Sequence, residues 1–387
     1  MTLDTTTPTN SGADFPATRA EALARLEAFG AQASRYHRER NHVIPNHSNV
    51  SRLSPAIRHR LITEEEVAKH VMHRYAFPAI EKFVQEVYWR RYWKSWLSLR
   101  PQVWTDYLND LESLEAVDTT GPVAIMNDFA AELVETGYLH NHARMWFAAY
   151  WVHTLKRPWQ LGAAFFYEHL LDADPASNTL SWRWVAGLQT PGKTYLARRS
   201  NIEKYLHPDL LKTEGLALLE SDTAVALDYG SKPAITSPDL PSSNYDPSLP
   251  TGFWMHEEDF CAESLFKQGD CQCVFVSCEP VQSTVKKAWL DKAKADASVR
   301  CRQHFDVPVT EGQSKDLINW AADNGISQII TMRPDVGPIN DQLASLGQLN
   351  IVFKDRAEDL ELRPLAKAGF FGFWKKVEPK VKVLELE

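Results

Sequence analysis

Long apolar runs are missing from this chain of 387 residues. No stretch approaches the about 18 consecutive apolar residues of a transmembrane helix, so no membrane span is expected. The Thr-rich segment Met1–Ala13 lacks a basic flank followed by an apolar run, which speaks against a secretory leader. Cysteine is scarce: Cys261, Cys271, Cys273, Cys278 and Cys301 are the whole set, and all fall in the last third. An odd number without a leader argues for reduced thiols in a cytoplasmic protein rather than a disulfide framework. The Cys271–Cys273 spacing is not that of a zinc ribbon, and no metal is expected. Internal repeats are lacking as well. The net charge of −8 is modest and unevenly spread, with 24 Lys+Arg against 23 Asp+Glu in residues 1–213 and 18 against 27 in the remainder. The first part can present a basic face, whereas the acidic second part makes a poor phosphate binder; charge alone does not select a partner. What is present is ordinary globular composition, 44% apolar and 24% charged, which excludes a disordered chain, collagen and coiled coil. The length suits two domains or one large one.

Residues 1–17 are expected to be disordered, and residues 18–210 to form an all-α domain. Arg19–Gln32 places Ala22, Leu23, Leu26 and Phe29 at helical spacing, and Thr63 followed by Glu66 has the form of a helix start. Gly137–Lys156 and Pro158–Leu171 read as two helices divided by Pro158. Residues 211–269, with Pro233, Pro238, Pro241, Pro247 and Pro250 among Ser and Asp, read as an extended connector. In residues 270–387, strand-like Cys273–Ser277, Ile326–Thr331 and Leu349–Phe353 alternate with helical Val285–Ala297, Asp316–Asn324 and Ile339–Leu346. That alternation predicts a small parallel α/β domain, making the whole an α+β multidomain chain.

Tryptophan is the abundant residue. Nine of 13 lie before residue 185: Trp89, Trp93, Trp96, Trp104, Trp146, Trp151, Trp159, Trp182 and Trp184. Trp89, Trp93 and Trp96 at helical spacing fit a core stripe. Glu86 and Arg90 share that face with Trp89, however, and a carboxylate and a guanidinium beside an indole fit a cavity wall that meets a polar ligand. Two further clusters are His140–Met145, in which Asn141, Arg144 and Met145 point one way, and Asp172–Asn178 ahead of Trp182 and Trp184. The second of these is compatible with a helix-capping loop as well as with a ligand site.

Together, Arg19–Tyr36, Val50–Ser54, Glu86–Arg90, Thr136–Asn141 and Leu171–Trp184 resemble, in order and spacing, the flavin-binding domain of the DNA photolyase/cryptochrome family, from about Thr18 to Tyr205. The resemblance implies a U-shaped FAD in a helical cavity. Its phosphates would be held by Val50, Ser51, Arg52, Leu53 and Ser54 with Tyr36 alongside, through the Arg52 charge, the hydroxyls and the amides of a turn entering a helix. Asp172 and Asp174 match positions at the adenine–ribose or flavin polar edge, and Arg144 matches the partner of the first. Asn178 matches the residue facing flavin N5, where asparagine is typical of photolyases. Trp182 and Trp159 match the inner members of the tryptophan chain that photoreduces the flavin; the Trp104–Thr120 region looks shortened, so the outer donor is not assigned.

On the substrate side Trp89 and Trp184 match the indoles that pack on a flipped pyrimidine dimer, and Glu86 the carboxylate that binds its bases. Asn141 and Met145 follow the pattern for cyclobutane dimers, whereas enzymes acting on (6-4) lesions carry histidines there. Arg90, Arg198 and Arg199 are candidates for phosphate contacts, with His142 replacing an expected arginine. The implied activity is light-driven repair of cyclobutane pyrimidine dimers in DNA; the alternative is a photoreceptor that signals without repair. An antenna domain would ordinarily precede the flavin domain. The α/β segment reads here either as a relocated, reduced antenna-like domain or as one too small for a second chromophore.

Overall fold

A computed structural model describes residues 15–190, 193–220, 223–228, 230–236 and 244–384. The helical part begins where its capping residues dictate. Thr18 and Glu21 form a capping box on Arg19–Gly30, and Thr63 and Glu66 form another on Glu64–Met72, each cap being worth about 1 kcal/mol. The longest helix here, Phe77–Ser98, runs beneath the residues singled out in sequence. Gly137 closes the helix Ala124–Thr136 with a left-handed φ of 71°, and a Cβ there would strike Leu171. The next helix therefore starts later than Gly137. The His140 ring accepts from the His142 amide, and Asn141–Ala149 follows, continuing as a π-helical turn at Tyr150–Thr154. Pro158 precedes Trp159–His169, and the Asp174 carboxylate caps Pro175–Val185.

The second part is a five-stranded parallel sheet in the order β3–β2–β1–β4–β5: β1 Thr251–His256, β2 Cys273–Ser277, β3 Val309–Gly312, β4 Gln328–Met332 and β5 Ile351–Lys354. Successive residues feed opposite faces. Phe253, Met255, Val274, Val276 and Ile330 join the large core shared with the helical part, whereas Trp254, Cys273, Phe275 and Ile329 pack with Trp320 in a smaller one. Two strands escaped the sequence reading. The central strand β1 lies inside the stretch read as connector, residues 211–269, because a strand buried on both faces carries no alternation and Pro250 precedes it. Strand β3 is short, polar and at an edge. Pro238 and Pro241 lie outside the described residues.

The helical and α/β parts are not separate bodies on a linker, as the sequence suggested; one apolar core runs through both. Phe15 and Ala17, from the segment expected to be disordered, are buried in it, with Phe15 4.7 Å from the Tyr138 ring and its carbonyl accepting from Trp289 Nε1. Residues 1–14 lie outside the described residues. The five cysteines are free and buried. No helix among the described residues is long and apolar enough to cross a membrane.

Strand order reverses beside β1, which makes the crevice at the carboxyl ends of β1 and β4 the usual ligand position of such a sheet. Here helical-part cations fill it. Lys94 lies 3.0 Å from Asp335 and 3.9 Å from Glu258, Arg58 4.0 Å from Glu258, and Arg60 3.1 Å from Asp259 and 2.7 Å from Asp359.

Candidate functional site

Phe77–Ser98, Asn141–Ala149, Trp159–His169, Pro175–Val185, the short helix Tyr36–Glu39 and the turn before Ser54–Arg58 enclose a cavity of about 540 Å³. That volume lies within the about 300–1,000 Å³ of small-molecule sites. Helical spacing accounts for the convergence: Glu86, Trp89, Arg90 and Trp93 form one face of the long helix, and Asn178, Ser181, Trp182 and Val185 one face of the helix capped by Asp174.

The polar part of the lining is an alternating set of charges. Arg144 Nη1 lies 3.0 Å from Asp172, and Arg144 Nε donates to the Leu139 carbonyl at 2.7 Å. Arg90 donates to the Asp172 carbonyl at 3.1 Å and contacts the Asp174 carboxylate closely, while the other Asp174 oxygen accepts from the Ser177 amide at 2.8 Å. Burial alone would push both carboxyls up. Arg144 and Arg90 outweigh it at Asp172, with the Ser54 hydroxyl assisting, and Arg90, Lys94 and Arg58 outweigh it at Asp174, so both titrate below the usual carboxylate range. Arg52 projects from the turn with a left-handed φ of 55°, a strain that non-glycine residues keep where surroundings over-determine it. The helix behind it, Ser54–Arg58, has only five residues, so charge and hydroxyls carry this corner rather than a helix dipole.

The aromatic part holds Trp89, Trp93, Trp182 and Trp184. Trp182 crosses the backbone at Gly162, where a Cβ would come within 2.3 Å of its ring. Trp89 stacks on Phe370 of the C-terminal helix Phe370–Val383, with centroids 3.9 Å apart and planes 9° apart, so one face expected to be open is covered. Glu86 accepts from Arg40 at 2.8 Å and Lys82 at 2.9 Å, both on Oε1, leaving Oε2 without a partner among the described residues. The Asn178 Nδ2 group donates to the Ala163 carbonyl at 2.8 Å, which fixes the orientation of its amide.

A profile of the FAD-binding domain of DNA photolyase matches residues 83–207. A deoxyribodipyrimidine photo-lyase of Streptomyces griseus is 30% identical over 193 residues, covering 44% of this chain and 42% of that one. A cryptochrome DASH of Idiomarina loihiensis is 36% identical over 83 residues, covering 21% and 18%. The helical part of this chain is thus similar to photolyases and cryptochromes, and residues 83–207 match the FAD-binding domain of DNA photolyase. A crystal structure of a bacterial class III photolyase from Agrobacterium tumefaciens superposes with a TM-score of 0.41 at 25% identity, over 49% of this chain and 42% of that chain. The chain spans about two fifths of the length of its photo-lyase relative from Streptomyces griseus.

FAD is the cofactor of this photolyase-type domain, and the cavity fits it. Arg52 Nε, Ser177 Oγ and His140 Nε2 are buried polar atoms of cavity-lining residues without hydrogen-bond partners among the described residues. Burial holds His140 well below the ordinary histidine value; its Nδ1 accepts from the His142 amide, which leaves Nε2–H as an unspent donor. Two unspent N–H donors and one unspent hydroxyl around a cavity also lined by indoles match a polar, anionic ligand with an apolar ring system.

Sixteen of the residues named from sequence line this cavity: Tyr36, Val50, Ser51, Arg52, Ser54, Glu86, Trp89, Arg90, Asn141, Arg144, Met145, Asp172, Asp174, Asn178, Trp182 and Trp184. Four do not. Leu53 is fully buried behind the turn. His142 turns away, with Nδ1 2.7 Å from the Asn41 carbonyl and its ring 4.3 Å from Trp146. Arg198 donates to the Glu220 carbonyl, and its neighbour Arg199 pairs with Glu203 and Glu220. Trp159 sits outside the wall, stacked on Tyr107 at 5.5 Å, which in turn lies 5.4 Å from Trp104. Arg90, expected at a phosphate, is instead committed to Asp174. The sequence reading missed Arg40, Lys82 and Tyr138 and, though it singled out the cluster from His140, gave His140 no role; the i, i+4 spacing of Lys82 and Glu86 was the one available signal for the missed residues.

Proposed function

We propose that this protein repairs cyclobutane pyrimidine dimers in DNA under blue light, using reduced FAD. The observation carrying the reading is that Trp89, Trp184, Glu86, Asn141 and Met145 border the same cavity as Arg144, Asp172 and Asn178. Bound reduced FAD supplies a light-driven one-electron donor that is regenerated in the same turnover. The chain supplies position and dryness. Arg52, with Ser51 and Ser54, provides the charge and hydroxyls that suit the cofactor's phosphates, and Val50 and Tyr36 border them. Asp172, kept ionised by Arg144, accepts from N–H or O–H groups at a polar edge, and Asp174 supports it by holding Arg90. Asn178 presents an amide of fixed orientation to the flavin ring.

Photolyases are among the enzymes that take their target out of the base stack, at a cost of a few kcal/mol. Stacking on an aromatic side chain returns about 1–3 kcal/mol per base, and Trp184 with the uncovered part of Trp89 offers two such surfaces. Glu86 Oε2 is the acceptor for base N–H groups. Trp182 on the cavity wall is the donor for reduction of the cofactor, and the stack of Trp159, Tyr107 and Trp104 supplies further aromatic rings in the same helical part. The filled crevice beside β1 supports reading the α/β part as a structural partner of the helical part rather than a holder of a second chromophore; flavin as the sole absorbing group in purified protein is the expected result.

A second reading, a photoreceptor that signals without repair, is favoured by Phe370 covering Trp89 and by Arg90 turning to Asp174, each of which removes a DNA contact. The deciding experiment is an absorption spectrum followed by repair of a dimer-containing oligonucleotide under blue light with reductant. Restored thymines support repair. A flavin spectrum without restoration, with light-dependent partner binding, supports the photoreceptor. Protein that stays colourless with added FAD sinks both.

A further inference from the structure

Residues 364–384 are the basic exception in the acidic half, with Lys367, Lys375, Lys376, Lys380 and Lys382 against Glu378 alone. The helix Phe370–Val383 turns Phe370, Phe373, Trp374, Val377 and Val381 inward. It is anchored to the long helix of the cavity by the Phe370–Trp89 stack, and Tyr92 donates to the Ala368 carbonyl at 2.8 Å just ahead of it. Its outer side carries Phe371, 70% exposed and the most exposed large apolar side chain among the described residues. Lys380 and Lys382 are spent on Glu361 and Glu378. Lys367, Lys375 and Lys376 are exposed and have no carboxylate partner among the described residues.

We infer that this outer face is a nucleic-acid strand surface, with Phe371 stacking on a base beside the cavity and Lys367, Lys375 and Lys376 contacting phosphates. The inference rests on the reading that DNA is the substrate. Phe371 is one ring removed from the cavity wall: its centroid lies 5.6 Å from Phe370, which lies 3.9 Å from Trp89. Through these two ring contacts the outer face adjoins the Trp89 side of the cavity. An exposed aromatic among unpaired cations is the composition that binds single strands without reading sequence. A membrane surface is the poorer match, because an amphipathic helix enters lipid with its apolar face, and here that face is packed on the long helix.

The test uses full-length, flavin-loaded protein and fluorescence anisotropy with labelled single-stranded oligonucleotides, with and without a thymine dimer, over a range of salt. Phe371→Ala is expected to weaken binding of both by about fivefold or more, the factor that corresponds to loss of one base stack. The triple variant Lys367→Ala/Lys375→Ala/Lys376→Ala is expected to lower the log–log salt slope by about 2. Retained flavin absorbance verifies the fold of each variant. Unchanged affinity and slope in both variants, while wild type binds, overturn the inference and leave the repair reading standing. Weakened binding without repair keeps the inference and removes the repair reading. Wild type that binds neither oligonucleotide removes both. Variants that lose only binding to phosphatidylserine vesicles assign the face to a membrane and overturn the inference.

Discussion

Arg90 illustrates how a single side chain changes meaning between sequence and structure. A guanidinium one residue after a base-packing indole reads as a phosphate contact, yet in the fold it lies against Asp172 and Asp174, one of them fully buried. Breaking such a pair strands a charge, at a cost of about 3–5 kcal/mol. Arg90→Gln is therefore expected to lower stability by that order in a denaturant titration and to shed flavin; unchanged stability with weakened DNA binding would restore the phosphate role. Glu86 has one oxygen saturated by Arg40 and Lys82, so Glu86→Ala is expected to cut the yield of dimer repair while the flavin spectrum persists, and an undiminished yield would remove Oε2 from substrate binding. Trp182→Phe should slow photoreduction and spare repair by chemically reduced protein, since repair does not draw on that indole. Equal loss of both activities would contradict its role as donor.

At the scale of elements, the cavity depends on two helices approaching closely at Gly162. A methyl group there would meet the Trp182 ring at 2.3 Å, and overpacking of this kind costs about 1–3 kcal/mol. Gly162→Ala should lower the melting temperature and disturb the flavin spectrum together, because the displaced ring belongs to both the core and the cavity; a spectrum unaltered in a destabilised variant would separate the two. The helix start at Thr63 was legible because a capping box is a local device, complete within four residues. Strand β1 was not, because its place between β2 and β4 is set by partners 21 and 77 positions further along the chain (Gly252 with Cys273, Thr251 with Gln328), and burial on both faces erases the alternation that marks a strand.

For the molecule as a whole, the uneven charge distribution becomes an internal fastening. The acidic half places Glu258, Asp259, Asp335 and Asp359 against Arg58, Arg60, Arg91 and Lys94 of the helical half. Asp259 and Asp335 are held well below the usual carboxylate range despite burial, Asp259 by Arg356 and Arg60 and Asp335 by Lys94, Arg363 and Arg91. Their contribution is present above the ordinary value of 3.8 and fades as pH falls below it. Glu358 behaves in the opposite sense. Burial, with Glu64 and Asp359 reinforcing it against Arg91, pushes this carboxyl up to about 7, and Tyr88 donates to it at 2.9 Å. A raised acid stabilises the fold fully below its ordinary 4.5 and loses that contribution as pH climbs through about 7. Glu358→Gln keeps the neutral form at every pH, so its melting temperature relative to wild type should rise between pH 5 and pH 8; a constant difference would refute the shift.

The sequence by itself determined sixteen of the residues that border the cavity, because each motif is a short run whose members share a face or a turn. It also determined the helix cap at Thr63 and three of the five strands. Only the tertiary structure decided that Arg90 points inward, that Phe370 covers Trp89, that His142 and Arg198 stand apart from the cavity, and that the two parts share a core. The division follows from range: capping and helical periodicity are settled within a few residues, whereas the partner of a buried charge such as Arg60 is chosen by a segment 299 positions distant, through packing that no local pattern encodes.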